Sequence, residues 1–271
     1  MNLNQQIERW LTDNKRTFSA GSSGVDHGAG NGCEDRRPFV TLCYAQSWDG
    51  SITTCAGESL ALSGAESTRL THQLRSMHDG ILVGIGTVLA DDPQLTVRQW
   101  AGPNPQPIVL DTHLRMPAGA RLRHRAGKRC WVLTTEQGAN AAGDDLEIIT
   151  VPCNAGGRVC LRETLKLLWD KGITSLMVEG GATVITGFVK ARLADALVVT
   201  VAPTLIGGYK ALGDLGLMAG SPLPRITPLF TGQLHDDLIM WGNLQYRDKD
   251  VGVDLNTNQN VEHKTKDSLT L

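Results

Sequence analysis

Short apolar runs alternate along this chain with stretches of helical period. Phe39 to Ala45 reads as a buried strand, and Gly80 to Gly84 holds Ile81, Leu82 and Val83 between two glycines. Further apolar runs at Gln106 to Asp111, Arg129 to Thr134, Glu147 to Val151, Ile173 to Val178 and Leu197 to Ala202 have strand length, and Trp241 to Tyr246 is placed to close the sheet. Between them, Ser63 to Met77 carries Leu70 and Leu74 four apart, Leu161 to Lys171 is amphipathic and stopped by Gly172, and Thr183 to Arg192 follows a pair of glycines. These three segments predict helices. Asp49-Gly50 predicts a hairpin turn between Phe39–Gln46 and Ser51–Thr54. Strands and helices at this spacing predict an α/β fold with a mostly parallel central sheet and flanking helices. Antiparallel strands are expected at the C-terminus, where the connections carry no clear helix.

The two ends lack this alternation. Asn4 to Leu11 predicts a short helix with Ile7, Trp10 and Leu11 on one face, and Ser19 to Asn31 is rich in Gly and Ser, as in a flexible linker. After Tyr246 no apolar period remains. The organisation expected is a short helix and linker over 1–37, one folded domain over 38–247, and a disordered polar tail over 248–271.

Composition narrows the classes. With 271 residues, 41% of them hydrophobic, the chain can bury a core without disulfides or metals. A net charge of −2 demands no basic face, which argues against nucleic acid as the partner. The six cysteines form no CxxC pair and no Cys/His group of zinc-finger spacing, so reduced thiols and no metal site are expected. No run has the length of a signal peptide core or a membrane span, and a soluble, cytoplasmic protein without a membrane partner is expected.

Two stretches carry chemistry. In Ser175 to Thr183 an apolar strand runs into Glu179, then Gly180-Gly181, then a helix. Glycines let a ligand approach the main chain, and the helix start offers unpaired N–H groups suited to a diphosphate. The pattern is neither GxGxxG nor a P-loop, and a tight turn without ligand would leave the same trace. Glu179 ends a buried strand, where α/β sheets open their ligand crevice. The second stretch, Gly84 to Arg98, has Thr87 as a hydroxyl donor, Asp91 as an acceptor for ribose or amide, and Arg98 as a planar fork for phosphate, with Arg75 on the preceding helix able to join it. A plain loop in which Asp91 caps a helix and Asp92-Pro93 turns the chain is the competing reading.

Taken together, Ala45-Gln-Ser-Trp-Asp-Gly50, Leu74-Arg75 with Asp79 to Gly84, Gly86 to Pro93 with Leu95 to Arg98, and Val178 to Ala182 with Ala202-Pro203 and Leu205 to Gly207 resemble, in order, the riboflavin-pathway pyrimidine reductases. These enzymes reduce a 5-amino-6-(5-phosphoribosylamino)pyrimidine on a dihydrofolate-reductase-like fold. The resemblance covers Pro38 to Tyr246. It implies NADPH as cofactor, touched by Ala45, Thr87, Asp91, Thr112 and the 181–187 segment, with Gly180, Gly181, Ala182, Thr183 and Val184 at its centre. It also implies a phosphorylated substrate held by Ser59, Arg75, Leu95 and Arg98, with Glu179 on the pyrimidine. Asp91 and Glu179 are the catalytic candidates, and a homodimer is implied. Hydride would pass to C1′ of the sugar after the ribosylamine opens to an imine. The bacterial pattern has a lysine where Cys43 stands and a tryptophan where Ala61 stands, and Tyr44 to Ser47 is closer to the fungal single-function type. The HxE and PCxxC signatures of the zinc deaminase that accompanies bacterial members are absent, so deamination is not expected. Two other readings stay open: a reductase of a pterin or another heterocycle on the same fold, and a non-catalytic NADP-binding or scaffold protein.

Overall fold

The computed structural model describes residues 1–22, 36–124, 127–139 and 146–246. In chain order the elements are α1 (Leu3–Ser22), β1 (Phe39–Ser47), β2 (Ser51–Thr53), α2 (Ala65–Ser76), β3 (Gly80–Gly84), α3 (Ile85–Asp91), β4 (Gln106–Leu110) and β5 (Trp131–Thr134). They continue with α4 (Glu136–Ala139), β6 (Glu147–Thr150), α5 (Leu161–Asp170), β7 (Ser175–Val178), α6 (Ala182–Lys190), β8 (Ala196–Ala202), β9 (Tyr209–Lys210), β10 (Arg225–Leu234) and β11 (Asp237–Gln245). The main sheet runs β10-β11-β8-β1-β7-β3-β4-β5-β6, parallel from β8 to β6, with β11 and β10 added antiparallel at one edge. This is the mostly parallel sheet with antiparallel C-terminal strands that the sequence pattern predicts.

The central strands are buried on both faces, which is why they read as continuous apolar runs rather than alternations. Along β1, Val40 and Leu42 face α5 and α6, where they meet Leu165, Leu168, Ile185 and Phe188. Phe39 and Cys43 face the other way, toward Ile7 and Leu11 of α1 and Leu70 and Leu74 of α2. A third cluster, Val83, Val109, Val132 and Leu122 among others, closes the far half of the sheet under the loop after β4.

Three features depart from the sequence reading. Helix α1 does not stop at Leu11 but continues to Ser22, so Ser19 to Ser22 lie in a helix where a linker is expected. The later turns are held by Phe18 edge-on to Phe39 at 5.4 Å and by Lys15, whose Nζ donates to the Met77 carbonyl at 2.6 Å. The rest of the expected linker and the tail over 248–271 lie outside the described residues. The turn at Asp49-Gly50 forms, with Gly50 at φ +81°, but β2 pairs with β9 rather than closing a ladder with β1. Asp49 is the reason: its carboxylate accepts from Ser47 and Ser51 hydroxyls, from the Ile206 and Gly207 amides, and from Lys210, drawing the 206–210 segment onto β2. Lastly, Ile85 to Asp91, to which the sequence pattern assigns no element, is helical, against the competing reading of a plain loop.

Candidate active site

The carboxyl ends of β1, β7, β3 and β4 open on one edge of the sheet, and two strand-to-helix turns meet there. The β3–α3 turn contains Gly84, and the β7–α6 turn contains Gly180 and Gly181. A Cβ at Gly84 would lie 2.7 Å from Cγ2 of Val184, and one at Gly180 would lie 2.6 Å from its Cβ. Val184 is therefore a wedge between the two turns, and both glycines are required by close approach rather than by unusual φ. Thr87 joins the turns: its hydroxyl accepts from the Gly181 amide at 3.1 Å. Ala182 and Thr183 open α6, so their amides have no intrahelical acceptor, and the positive end of the helix dipole lies behind them. This cradle fits an anionic diphosphate. Thr112 stands just beyond β4; its carbonyl accepts from Thr134 and Thr135 hydroxyls at 3.0 and 3.1 Å. Ala45 is half-buried on β1 opposite Thr200, and Asp91 is exposed at the last position of α3.

A second group lies across the crevice. Glu179 follows β7, its amide bonded to the Leu82 carbonyl at 3.0 Å. Its carboxylate takes a two-pronged grip from Arg75, Nε to Oε1 at 2.7 Å and Nη2 to Oε2 at 2.6 Å. Arg75 also donates from Nη1 to the Thr96 carbonyl at 2.9 Å. Three of the five N–H groups of a guanidinium are thus used among the described residues. Burial works against the charge of Arg75, but Glu179 outweighs it and holds the group protonated. Cys43 lies buried alongside, its thiol raised well above the usual range by burial first and by Glu179 second.

Arg98 is exposed on the loop after α3. It hydrogen-bonds Gln94 at 3.2 Å and Thr96 at 2.7 Å, and it pairs with no carboxylate among the described residues. Partial burial, then Arg75 and Arg121, lower its pKa, against an opposing effect of Glu179. Leu95 is buried beneath it at φ +51°. Ser59 is exposed on the loop between β2 and α2, with no hydrogen bond to Arg75 or Arg98.

The structure therefore draws most of the expected residues into two linked sets, Thr87–Gly181–Val184 and Arg75–Glu179 with the 95–98 loop, and leaves Ala45, Ser59, Asp91 and Thr112 outside both. The close approach at Gly84 is the one its residue type predicts. Sequence reasoning missed two participants: Asp49 reads only as a turn residue, and His72, one turn before Arg75 on α2, carries no signal beyond its helical position. A cavity of about 630 Å³ also runs along the outer side of α6, between Thr183, Thr186 and Lys190 on one wall and Tyr209 and Lys210 on the other.

A crevice at the carboxyl ends of parallel strands, with a glycine cradle on one side and an arginine–carboxylate pair on the other, is where an α/β enzyme would seat a ligand, and the relatives of this chain make that enzyme an oxidoreductase. The chain belongs to the RibD C-terminal domain family, whose sequence model matches residues 38–233. It is a reductase of riboflavin biosynthesis. It is 37% identical over 196 residues to the 2,5-diamino-6-ribosylamino-4(3H)-pyrimidinone 5′-phosphate reductase of Debaryomyces hansenii, covering 63% of this chain and 77% of that one. It is 33% identical over 207 residues to the riboflavin biosynthesis protein RibD of Aquifex aeolicus, covering 76% of this chain but only 57% of that protein. Among solved structures, the riboflavin biosynthesis reductase Rib7 of Saccharomyces superposes with a TM-score of 0.65 at 28% identity, over 87% of this chain and 99% of that one.

Proposed function

We propose that this protein reduces the ribosyl group of a 5-amino-6-(5-phosphoribosylamino)pyrimidine to the ribityl form, with NADPH as reductant, and does so on the diamino pyrimidinone carried in the name of the Debaryomyces relative. The observation that carries the reading is Arg75, which grips Glu179 with two N–H groups and the Arg98 loop with a third. One side chain thereby ties a carboxylate suited to the amino edge of a pyrimidine to an exposed guanidinium suited to a phosphate.

The dinucleotide supplies hydride for C1′ of the opened, imine form of the sugar. The chain supplies position. Ala182 and Thr183 amides hold the diphosphate, Thr87 fixes the turn that presents them, and Asp91, Thr112 and Ala45 line the rest of the dinucleotide. Arg98, with Arg75, holds the phosphate of the substrate; Leu95 seats the loop; Ser59 approaches from the loop before α2. Glu179 orients the pyrimidine through hydrogen bonds to its amino and ring N–H groups. Cys43, neutral and buried, adds no charge there. The protein acts as a homodimer in the cytoplasm.

Steady-state oxidation of NADPH with the phosphoribosylaminopyrimidine, beside its dephosphorylated form and a dihydropterin, tests the reading. Turnover of the pyrimidines and not of the pterin is expected, the phosphorylated form at the lower KM, with Arg98→Ala raising its KM far more than that of the dephosphorylated form. Turnover of the pterin alone, or of nothing, overturns it.

A further inference from the structure

His72 is 2% exposed and lies in the middle of α2, yet it reaches the ligand side of the molecule through one bond. Its Nδ1 accepts from the backbone amide of Arg98 at 3.1 Å. One turn on, Arg75 donates to the carbonyl of Thr96. Two residues of one helix face thus hold alternate positions of the same loop, one by its carbonyl and one by its amide. The loop has few other anchors: Leu95 is buried, Val97 N donates to Asn104 Oδ1 at 2.7 Å, and the remaining bonds of Arg98 are to its own neighbours, Gln94 and Thr96.

Resting on the reading of Arg98 as the phosphate holder, we propose that His72 is a positioning residue for the phosphate site: its neutral ring, with a free lone pair on Nδ1, fixes the backbone of Arg98 and so the direction of the guanidinium. An amide donating to Nδ1 requires that nitrogen to be unprotonated. The surroundings favour the neutral form. Burial disfavours a charge, as do the cations Arg75 and Arg98 that face the ring, while Glu179 and the Thr96 carbonyl act in the opposite sense, and the balance lowers the pKa. Helix α2 is itself tied to α1 through Gln73 and Glu8 at 3.1 Å and to β11 through the Gly64 amide and Asp237 at 2.8 Å. The ring is therefore a fixed point against which the loop is set.

Sulfate binding to the full chain, measured by calorimetry, tests this with four variants. His72→Ala removes the acceptor of a part-buried amide, and sulfate affinity is expected to fall about 10-fold, the scale of one such hydrogen bond. In His72→Asn the Oδ1 atom occupies the place of Nδ1, and affinity is expected within about 3-fold of the unaltered protein, as a retained bond of this kind implies. His72→Gln, with its oxygen one bond further out, should behave like His72→Ala. Hydrogen exchange at the Arg98 amide should be fast in His72→Ala and His72→Gln and slow in His72→Asn. Arg98→Ala is the reference. If it binds sulfate as tightly as the unaltered protein, the phosphate site itself is refuted. If it is impaired while His72→Ala is not, only the role of His72 is overturned. Equal weakness of His72→Asn and His72→Ala would show that the ring acts by packing, and would overturn it too. Should His72→Ala fail to fold, the contrast between the asparagine and glutamine variants decides the matter.

Discussion

Arg75 and Glu179 stand 104 positions apart in the chain and 2.6 Å apart in the crevice. Their side chains are largely buried, so each depends on the other. Arg75→Ala leaves a shielded carboxylate without its partner and is expected to cost about 2 kcal/mol in urea unfolding, less than the loss at a fully buried pair because some solvent reaches both groups. Glu179→Gln keeps the shape and is expected to unfold within about 1 kcal/mol of the unaltered protein, yet to lower kcat/KM about 10- to 100-fold, the worth of one charged hydrogen bond. Val184 offers a sharper test. Gly84→Ala drives a Cβ to within 2.7 Å of its Cγ2 and is expected to abolish cofactor binding in a fluorescence titration. Adding Val184→Ala removes the obstacle, and binding should return in part, a coupling that independent sites would not show. At this scale the sequence was half legible. Glu179, Arg75 and Arg98 stand out by residue type and by where strands end. Their pairing does not, because nothing local shows that the last turn of one helix lies against the end of a strand a hundred residues later. His72 left no trace at all: a histidine among apolar helix positions reads as core.

Elements were legible where burial is two-sided or periodic. Strand β3 has the predicted limits, since the run between Gly80 and Gly84 is apolar throughout. Strand β10 was invisible because it is an edge with both faces largely open, so no alternation marks it. Its partner holds a strict position: a Cβ at Gly242 would lie 2.2 Å from the carbonyl oxygen of Pro228, at the irregularity between Ile226 and Leu229. Backbone cannot step aside as a side-chain tip can, and Gly242→Ala is expected to cost about 1–3 kcal/mol by chemical denaturation. Helix α1 was read too short because Lys15 and Phe18 hold its later turns through single contacts rather than a continuous stripe. Lys15 gives that helix a pH signature. Burial lowers its pKa to about 8, against a smaller opposing effect of Asp79. Unfolded, the lysine keeps its proton to about 10.4. Between these values the unfolded chain binds more protons, so stability rises with pH there. The unfolding midpoint of the protein is expected to gain on that of Lys15→Met from pH 8 to pH 10, and a constant difference would refute the burial of this amine.

For the whole molecule, the parallel sheet fixes where a ligand goes, and the antiparallel hairpin of β10 and β11 fixes which edge stays open. That edge shows Leu229 and Phe230 to solvent, Phe230 stacked on Trp241 at 5.7 Å. In the proposed homodimer it is one apolar face that a partner would bury. Leu229→Lys is expected to shift the protein from dimer to monomer in sedimentation equilibrium while leaving the far crevice able to bind cofactor. A variant that remains dimeric would move the interface elsewhere. Fold class was legible at this scale because alternation of strand and helix leaves few ways to bury both faces of a sheet. The pairing of β2 with β9 was not, because it depends on Asp49 collecting amides from a segment more than 150 residues away.

The shared grip of Arg75 has one more consequence. Whatever settles on Glu179 alters the pull on Arg75, and Arg75 in turn holds the carbonyl of the loop that presents Arg98. In the proposed reading the two ends of the crevice are therefore expected to be coupled rather than independent, and coupling between equilibria runs equally in both directions. If a pyrimidine fragment tightens the hold on a sugar phosphate by some factor, the sugar phosphate must tighten the hold on the pyrimidine by that same factor.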